Sequence, residues 1–338
     1  MRRRLALLAI LVALVALGGA AAPRPVSAHA FLQRTQPTNG AIVATNIGEV
    51  RLSFNEPVDV RPDRISVSDG AGRRIDLRDA RRVAGDPATV VVSLPQLPSG
   101  VYTVRYALIS TDTHPVTGSF RFGVGVSPAD VQSGATTQET QLSGPLLLAV
   151  ARWLNLLGII LFVGPIAFRF LVLAPPWRRE QPEPGDAVRR FEARNIRWAW
   201  VAVTLLIIGQ FLALAAASLA STFGSFGEAF QPDNLLGTLT GRFGTLWLAR
   251  FALLLVPSLA LPIVSAEQEL AAVRPDAPQT ERGRGAWLAM LISGAALAVL
   301  TAFSGHAAAT APVAVTVLVD WLHLSASALW IGGLLALA

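Results

Sequence analysis

Hydrophobic and polar positions change their rhythm twice along the chain. An apolar run from Leu5 to Ala22 comes first. Between residues 29 and 124 apolar and polar residues alternate in short stretches: Val50-Arg51-Leu52-Ser53-Phe54, Arg64-Ile65-Ser66-Val67 and Val101-Tyr102-Thr103-Val104-Arg105-Tyr106. A two-residue period marks half-buried β-strands. Turn signals at Asn39-Gly40, Asp69-Gly70 and Pro98-Ser99-Gly100 separate the stretches. The pattern predicts an all-β domain of roughly six or seven strands, a sandwich or small Greek-key barrel. Residues 125–144 are rich in Ser, Thr, Gln and Gly without apolar periodicity, which predicts a flexible linker. Beyond Gly144 lie apolar segments at about 145–173, 198–221, 245–265, 286–305 and 312–338. Each is long enough to cross a bilayer, so 145–338 is expected to be an α-helical, multi-spanning membrane domain of about five spans. The last segment reaches Ala338 without a polar flank, and the expectation is a truncated chain with spans missing after it.

Composition agrees with a partner in lipid. Of 338 residues, 52% are hydrophobic and 15% charged, and the mean hydropathy is +0.50, too apolar for one soluble domain. There is no cysteine, which excludes disulfides, thiolate metal sites and cysteine nucleophiles. All 28 basic residues are arginine, which excludes lysine chemistry. A net charge of +6 invites a nucleic-acid reading, but four arginines and no acid sit in residues 1–28, and the rest of the chain is nearly balanced. No nucleic-acid partner is expected.

Arg2, Arg3 and Arg4 before the first apolar run, and Val26-Ser27-Ala28 after it, read as a signal peptide over 1–28. The rival is an uncleaved anchor helix; Pro23 and Pro25 favour cleavage. Cleavage after Ala28 would make His29 the mature terminus. The loops at 174–197 and 266–285 carry six and three arginines, whereas 222–244 carries only Arg242. By the positive-inside rule the first two are cytoplasmic. The expectation is a multi-pass protein of the cytoplasmic (inner) membrane, with its N-terminal domain extracytoplasmic, or periplasmic.

The four histidines, His29, His114, His306 and His323, fall into two pairs. In the first, the freed amino group and Nδ1 of His29 can close a chelate ring on a square-planar metal, a geometry suited to Cu(II). Asp112 and His114 are two residues apart, so in extended chain both point to one face. Pro115 then ends the ladder and places them at a strand edge. Taken alone, Asp112 caps a turn and His114 is a surface histidine; together with a histidine at the mature terminus they complete a metal set. In the second pair, His306 sits at the outer end of the fourth span. Asp320 lies about 12 Å along the helix from Pro312, and His323 is one turn deeper. Intramembrane ionisable groups are costly and face a bundle interior or an aqueous path, so His306, Asp320 and His323 are candidate relay ligands. In the alternative, Asp320 pairs with Arg152 or Arg250 as a structural tie. Trp321 and Trp330 are read as packing or interfacial residues.

His29-Ala30-Phe31-Leu32, Gln36-Pro37-Thr38-Asn39-Gly40, Leu52-Ser53-Phe54-Asn55-Glu56-Pro57-Val58 and Asp112-Thr113-His114-Pro115-Val116-Thr117-Gly118 resemble, in order, the CopC copper-binding family. The resemblance implies a cupredoxin-like Greek-key fold that binds Cu(II) through the terminal amine, His29, Asp112 and His114. Some members add a methionine-rich Cu(I) site; here the only methionines are Met1 and Met290. Ser304-Gly305-His306-Ala307, Asp320-Trp321-Leu322-His323 and Leu329-Trp330-Ile331-Gly332-Gly333-Leu334 resemble CopD, a membrane partner often fused to CopC. The function implied is copper transport, homeostasis or resistance without catalysis. The implied partners are copper ion, the lipid bilayer, and a copper chaperone or further C-terminal spans. Two rivals are a copper-brace oxidative enzyme and a metal-free adhesion or sensory domain on an anchor. The first needs a flat aromatic substrate surface, and residues 29–124 contain no tryptophan.

Overall fold

Burial of apolar side chains away from water closes the N-terminal third, and the rest is built of long apolar helices, five of them candidate membrane spans. The computed structural model describes residues 30–43, 47–110, 113–132, 143–173, 186–222, 225–274, 280–310 and 312–337. Residues 1–28, read above as a signal peptide, and His29 and Asp112 lie outside them.

Nine strands form two sheets: β1 (Leu32–Gln36), β2 (Ile42–Val43), β3 (Glu49–Phe54), β4 (Val58–Asp59), β5 (Ile65–Ser68), β6 (Arg81–Val83), β7 (Asp86–Ser93), β8 (Gly100–Ser110) and β9 (Pro115–Val124). One sheet runs β1-β3-β7-β6; the other runs β2-β9-β8-β4, with β5 also on β8. Val50, Leu52 and Phe54 of β3 are buried while Glu49, Arg51 and Ser53 between them are not, as the alternation predicts. They meet Ile65, Val67, Val104, Leu108, Phe120 and Phe122 of the opposite sheet in one core, so the domain is a β-sandwich. Tyr106 stands opposite Gly118 in the β8–β9 pair. Any Cβ at Gly118 would collide with the Tyr106 ring, which explains the glycine in that motif.

A short helix, α1 (Pro128–Gln132), follows β9. These residues were expected in the linker, but Val131 is buried against Gly123 of β9, where no side chain stands in the way. One apolar residue in a polar stretch carries no periodicity, so the pattern missed it.

The membrane region comprises α2 (Ser143–Phe168), extended by a π-helical turn over Arg169–Leu173, then α3 (Asp186–Ser221) and two short helices, α4 (Phe226–Ala229) and α5 (Pro232–Thr238). It continues through α6 (Gly241–Val273), α7 (Glu281–Ala302), a 3-10 turn over His306–Ala309 and α8 (Val313–Leu337). Five of these helices are long and apolar enough to cross a membrane. Several extend beyond the expected limits, α3 starting twelve positions before 198, because charged residues such as Arg190 and Arg194 prolong a helix outside the apolar stretch that hydropathy detects. Phe162, Ile166, Leu206, Leu261 and Met290 fill the bundle core. α2 and α8 cross backbone to backbone. A Cβ on Gly332 would meet the Ile160 carbonyl and the Gly164 Cα, and one on Gly164 would meet the Ala328 carbonyl. Small residues at such a crossing let dispersion and close approach hold helices that gain nothing from expelling water. This accounts for Gly332 in the CopD-like motif.

Candidate metal centre

The site is assembled from the end of the sandwich that meets the bundle. At the described start of the chain, Phe31 donates its backbone N–H to Asn55 Oδ1 at 2.6 Å, and Asn55 returns its N–H to the Phe31 carbonyl at 3.3 Å. Three residues later β4 begins, and its Val58 pairs with Ser110 at the tip of β8. The described start and the β8–β9 turn therefore share one end of the sandwich. That turn is tight: Thr113 N–H donates to the Ser110 carbonyl and Ser110 N–H to the His114 carbonyl. Thr113 has φ +68°, the left-handed region that a β-branched residue rarely enters.

The turn rests on the membrane bundle. Thr113 Oγ1 donates to the Ser304 carbonyl at 3.1 Å, just past the end of α7. His114 lies against His306 of the 3-10 turn, with ring centroids 5.3 Å apart and planes 9° from parallel. From below, Arg152 of α2 brings a guanidinium nitrogen to 3.4 Å from His114 Nδ1. An arginine has no acceptor, so any hydrogen bond there is donated to the ring. Arg250 of α6 donates to the Leu300 carbonyl at 3.1 Å.

Around the turn a broader dock fixes the two regions. Arg64, 6% exposed, donates to the Ser221 carbonyl and to Asn234 Oδ1 at 2.9 Å. Burial draws its pKa down from the usual guanidinium value, and the neighbouring Asp63 carboxylate pulls the other way. Asp59 Oδ2 accepts from the Arg242 N–H at 2.8 Å, and its carboxylate occupies the space a Cβ would need at Gly241, where φ is +80°. Ile109 packs with Ala217, Phe243 and Trp247 of the bundle. Apart from Arg242, counted there only for its charge, none of these residues stands out in the sequence; isolated charges and one asparagine of a short helix carry no pattern that joins them.

The structure pairs His114 with His306 rather than His306 with His323. Asp320 and His323 are exposed on α8. Helix α8 packs through Val317, Trp321, Leu324 and Ala328. At about 100° per residue that stripe leaves Asp320 on its flank and His323 nearly opposite. Asp320 makes no ion pair with Arg152 or Arg250 among the described residues, so the structural-tie alternative is not seen either. Trp321 packs half-buried, whereas Trp330 is 72% exposed. Among the described residues no three His, Asp or Glu side chains converge on one point. The described donors at the dock are thus two imidazoles, of the intermediate ligand type that suits copper, nickel or zinc.

A β-sandwich seated by a histidine-bearing turn on a helical bundle with five candidate membrane spans defines the class: a helical membrane region carrying a docked β-domain. The family comparisons specify it. Residues 32–125 match the CopC domain, and residues 142–315 match the copper resistance protein D-like N-terminal domain. The second match covers half the chain, and the protein belongs to that family, as a fusion of a CopC domain to a CopD-like membrane region. It is 27% identical over 321 residues to the copper transport protein CutJ of Bacillus subtilis (strain 168), covering 93% of this chain and 54% of that protein. The chain thus spans about half the length of that relative. Copper resistance protein C of Escherichia coli is 30% identical over 105 residues, 29% of this chain and 82% of its own. Among solved structures, CopC from Methylosinus trichosporium OB3b is 31% identical with a TM-score of 0.26, covering 28% of this chain and 93% of that one. The methionine-rich PcoC from Escherichia coli is 26% identical with a TM-score of 0.25, covering 28% and 98%.

Proposed function

We propose that the protein captures Cu(II) outside the cell membrane and hands it to the membrane region at the dock. Capture uses the terminal amine and imidazole of His29 after signal-peptide removal, with Asp112 and His114. His306 is the first acceptor. The observation that carries this reading is the His114–His306 stacking: a metal held on one ring needs only a side-chain rotation to reach the other. Parallel rings aim their lone pairs past each other rather than at one point, which fits sequential ligation better than a shared static site. The copper names of the relatives supply the cargo.

The proposed orientation, β-domain outside, is supported by charge. The sandwich meets the end of α3, the start of α6 and the end of α7. The arginine-bearing ends, at Arg190 and Arg194 of α3, Arg274 after α6 and Arg282 and Arg284 of α7, are the opposite ones, as the positive-inside rule requires of cytoplasmic ends.

The test uses the full chain in nanodiscs and in copper-starved cells. His114→Ala is expected to weaken Cu(II) binding by about a hundredfold, in the range for loss of a site's ligand support. His306→Ala is expected to leave capture within a few fold while cutting copper accumulation at least tenfold. Accumulation unchanged by His306→Ala would refute the hand-off; Cu(II) affinity unchanged by His114→Ala would refute the capture site.

A further inference from the structure

Nothing in a simple capture site calls for a permanent cation beside one of its ligands, yet Arg152 stands 3.4 Å from His114 Nδ1. We propose that Arg152 is an electrostatic gate: in the docked arrangement its guanidinium weakens the capture site for a dication and so drives copper off His114 toward His306. The inference rests on the reading of His114 as a copper ligand and assigns that site its regulation.

Three observations carry it. The guanidinium is always protonated and only donates, so at Nδ1 it competes with a metal for the lone pair, and it repels a cation held at the ring's other nitrogen. A second guanidinium on the membrane helices, that of Arg250, has its Nε buried without a hydrogen-bond partner and its NH2 tied to the Leu300 carbonyl, so it cannot swing clear without breaking that bond. Finally, Thr113 is fastened to the Ser304 carbonyl, so the adjacent His114 cannot retreat from Arg152 while the domain is docked. Both charges belong to membrane helices, whereas His114 belongs to the sandwich. The repulsion is thus present when the two regions meet and absent when they part, so loading is favoured undocked and unloading docked.

A structural role for Arg152 predicts the opposite sign, because loss of a tie would loosen the site and weaken binding. The experiment is a chelator-competed Cu(II) titration of the full chain in nanodiscs, with the Cu(II) electron paramagnetic resonance spectrum recorded for each variant. Arg152→Gln keeps a donor without the charge and is expected to tighten binding by about tenfold or more, the floor set by a dication and a unit charge about 5 Å apart at water-like screening. Arg152→Lys restores the charge and is expected to stay near wild type. Arg250→Gln, more distant, is expected to tighten binding by a few fold and serves if Arg152→Gln does not fold. Weaker or unchanged binding in Arg152→Gln, with His114→Ala still weakening capture about a hundredfold, would overturn the gate and leave the capture reading intact. Unchanged binding in His114→Ala would remove the capture reading, and the gate with it.

Discussion

The sandwich and the bundle solve the same packing problem with opposite means. The β-domain closes large side chains over each other, Phe54 edge-on to Tyr106 with centroids 5.9 Å apart and Phe122 fully buried, because expelling water rewards apolar area. It can also afford a charged tie: the Asp76 side chain accepts from Arg74 twice at 2.8 Å, from the Val67 N–H at 2.9 Å and from the Arg78 N–H at 3.1 Å. The bundle instead brings backbones together at Gly164, Ala328 and Gly332, with polar ties both neutral, Gln210 to Asn155 Oδ1 at 3.0 Å, and charged, Arg169 to Glu192 at 3.0 Å. In lipid, area burial earns nothing between helices and fit decides. The contrast teaches where each region is vulnerable: the sandwich to loss of volume or charge pairing, the bundle to gain of volume.

The sharpest break of that contrast is Gly332→Leu. Its new atoms meet the Ile160 carbonyl and the Gly164 Cα, backbone that cannot rotate away, and a loss of about 4 kcal/mol or more is expected. Size-exclusion profiles and thermal melts in detergent should show loss of the folded bundle; a wild-type melt would mean the helices do not cross there.

Next is Asp76→Asn, expected to cost the sandwich about 3 kcal/mol by leaving Arg74 half-buried and unpaired. Burial alone would raise the Asp76 pKa, but Arg74 and the two backbone N–H groups outweigh it and hold the carboxyl below its usual value. Its contribution is therefore complete above the unfolded value of about 3.9 and fades as pH falls through the lower folded value. Denaturant melts followed down in pH should be flatter in Asp76→Asn than in wild type; parallel curves would contradict the assignment.

Arg64→Gln acts on the boundary between the two regions, with an expected loss of about 2 kcal/mol of docking. Because the chain has no cysteine, spin labels at Gln96→Cys and Leu236→Cys report the separation directly. The distance distribution should broaden in Arg64→Gln, and copper accumulation should drop while Cu(II) capture persists. The smallest effect is a control for the first: nothing lies within 4 Å of a Cβ at Gly285, so Gly285→Ala in α7 should stabilise by up to about 1 kcal/mol.

What the sequence disclosed followed from periodicity. The alternation at Val50–Phe54 and the long apolar stretches identify β3 and the membrane helices because burial repeats at fixed intervals. The dock is made of single contacts between residues far apart in the chain, Arg64 with Asn234 and Thr113 with Ser304, and a lone polar residue reads as solvated until its partner is known. His114 and His306 stand out as candidates in separate pairs, and only the fold, which brings the β8–β9 turn onto the α7–α8 connection, sets the two rings together. Which stripe of α8 packs, and that it leaves Asp320 and His323 exposed, cannot be read from polarity in lipid alone.

Thr113 gives the dock a mechanical meaning. A β-branched residue held at φ +68° costs about 1–3 kcal/mol, offset while its hydroxyl grips the Ser304 carbonyl. Once that grip opens, the cost stands uncompensated and the turn is free to relax, carrying His114 with it. The turn is a latch whose shape is set by what it holds, so any parting of the two regions would change the geometry of His114 as well as its distance from the bundle.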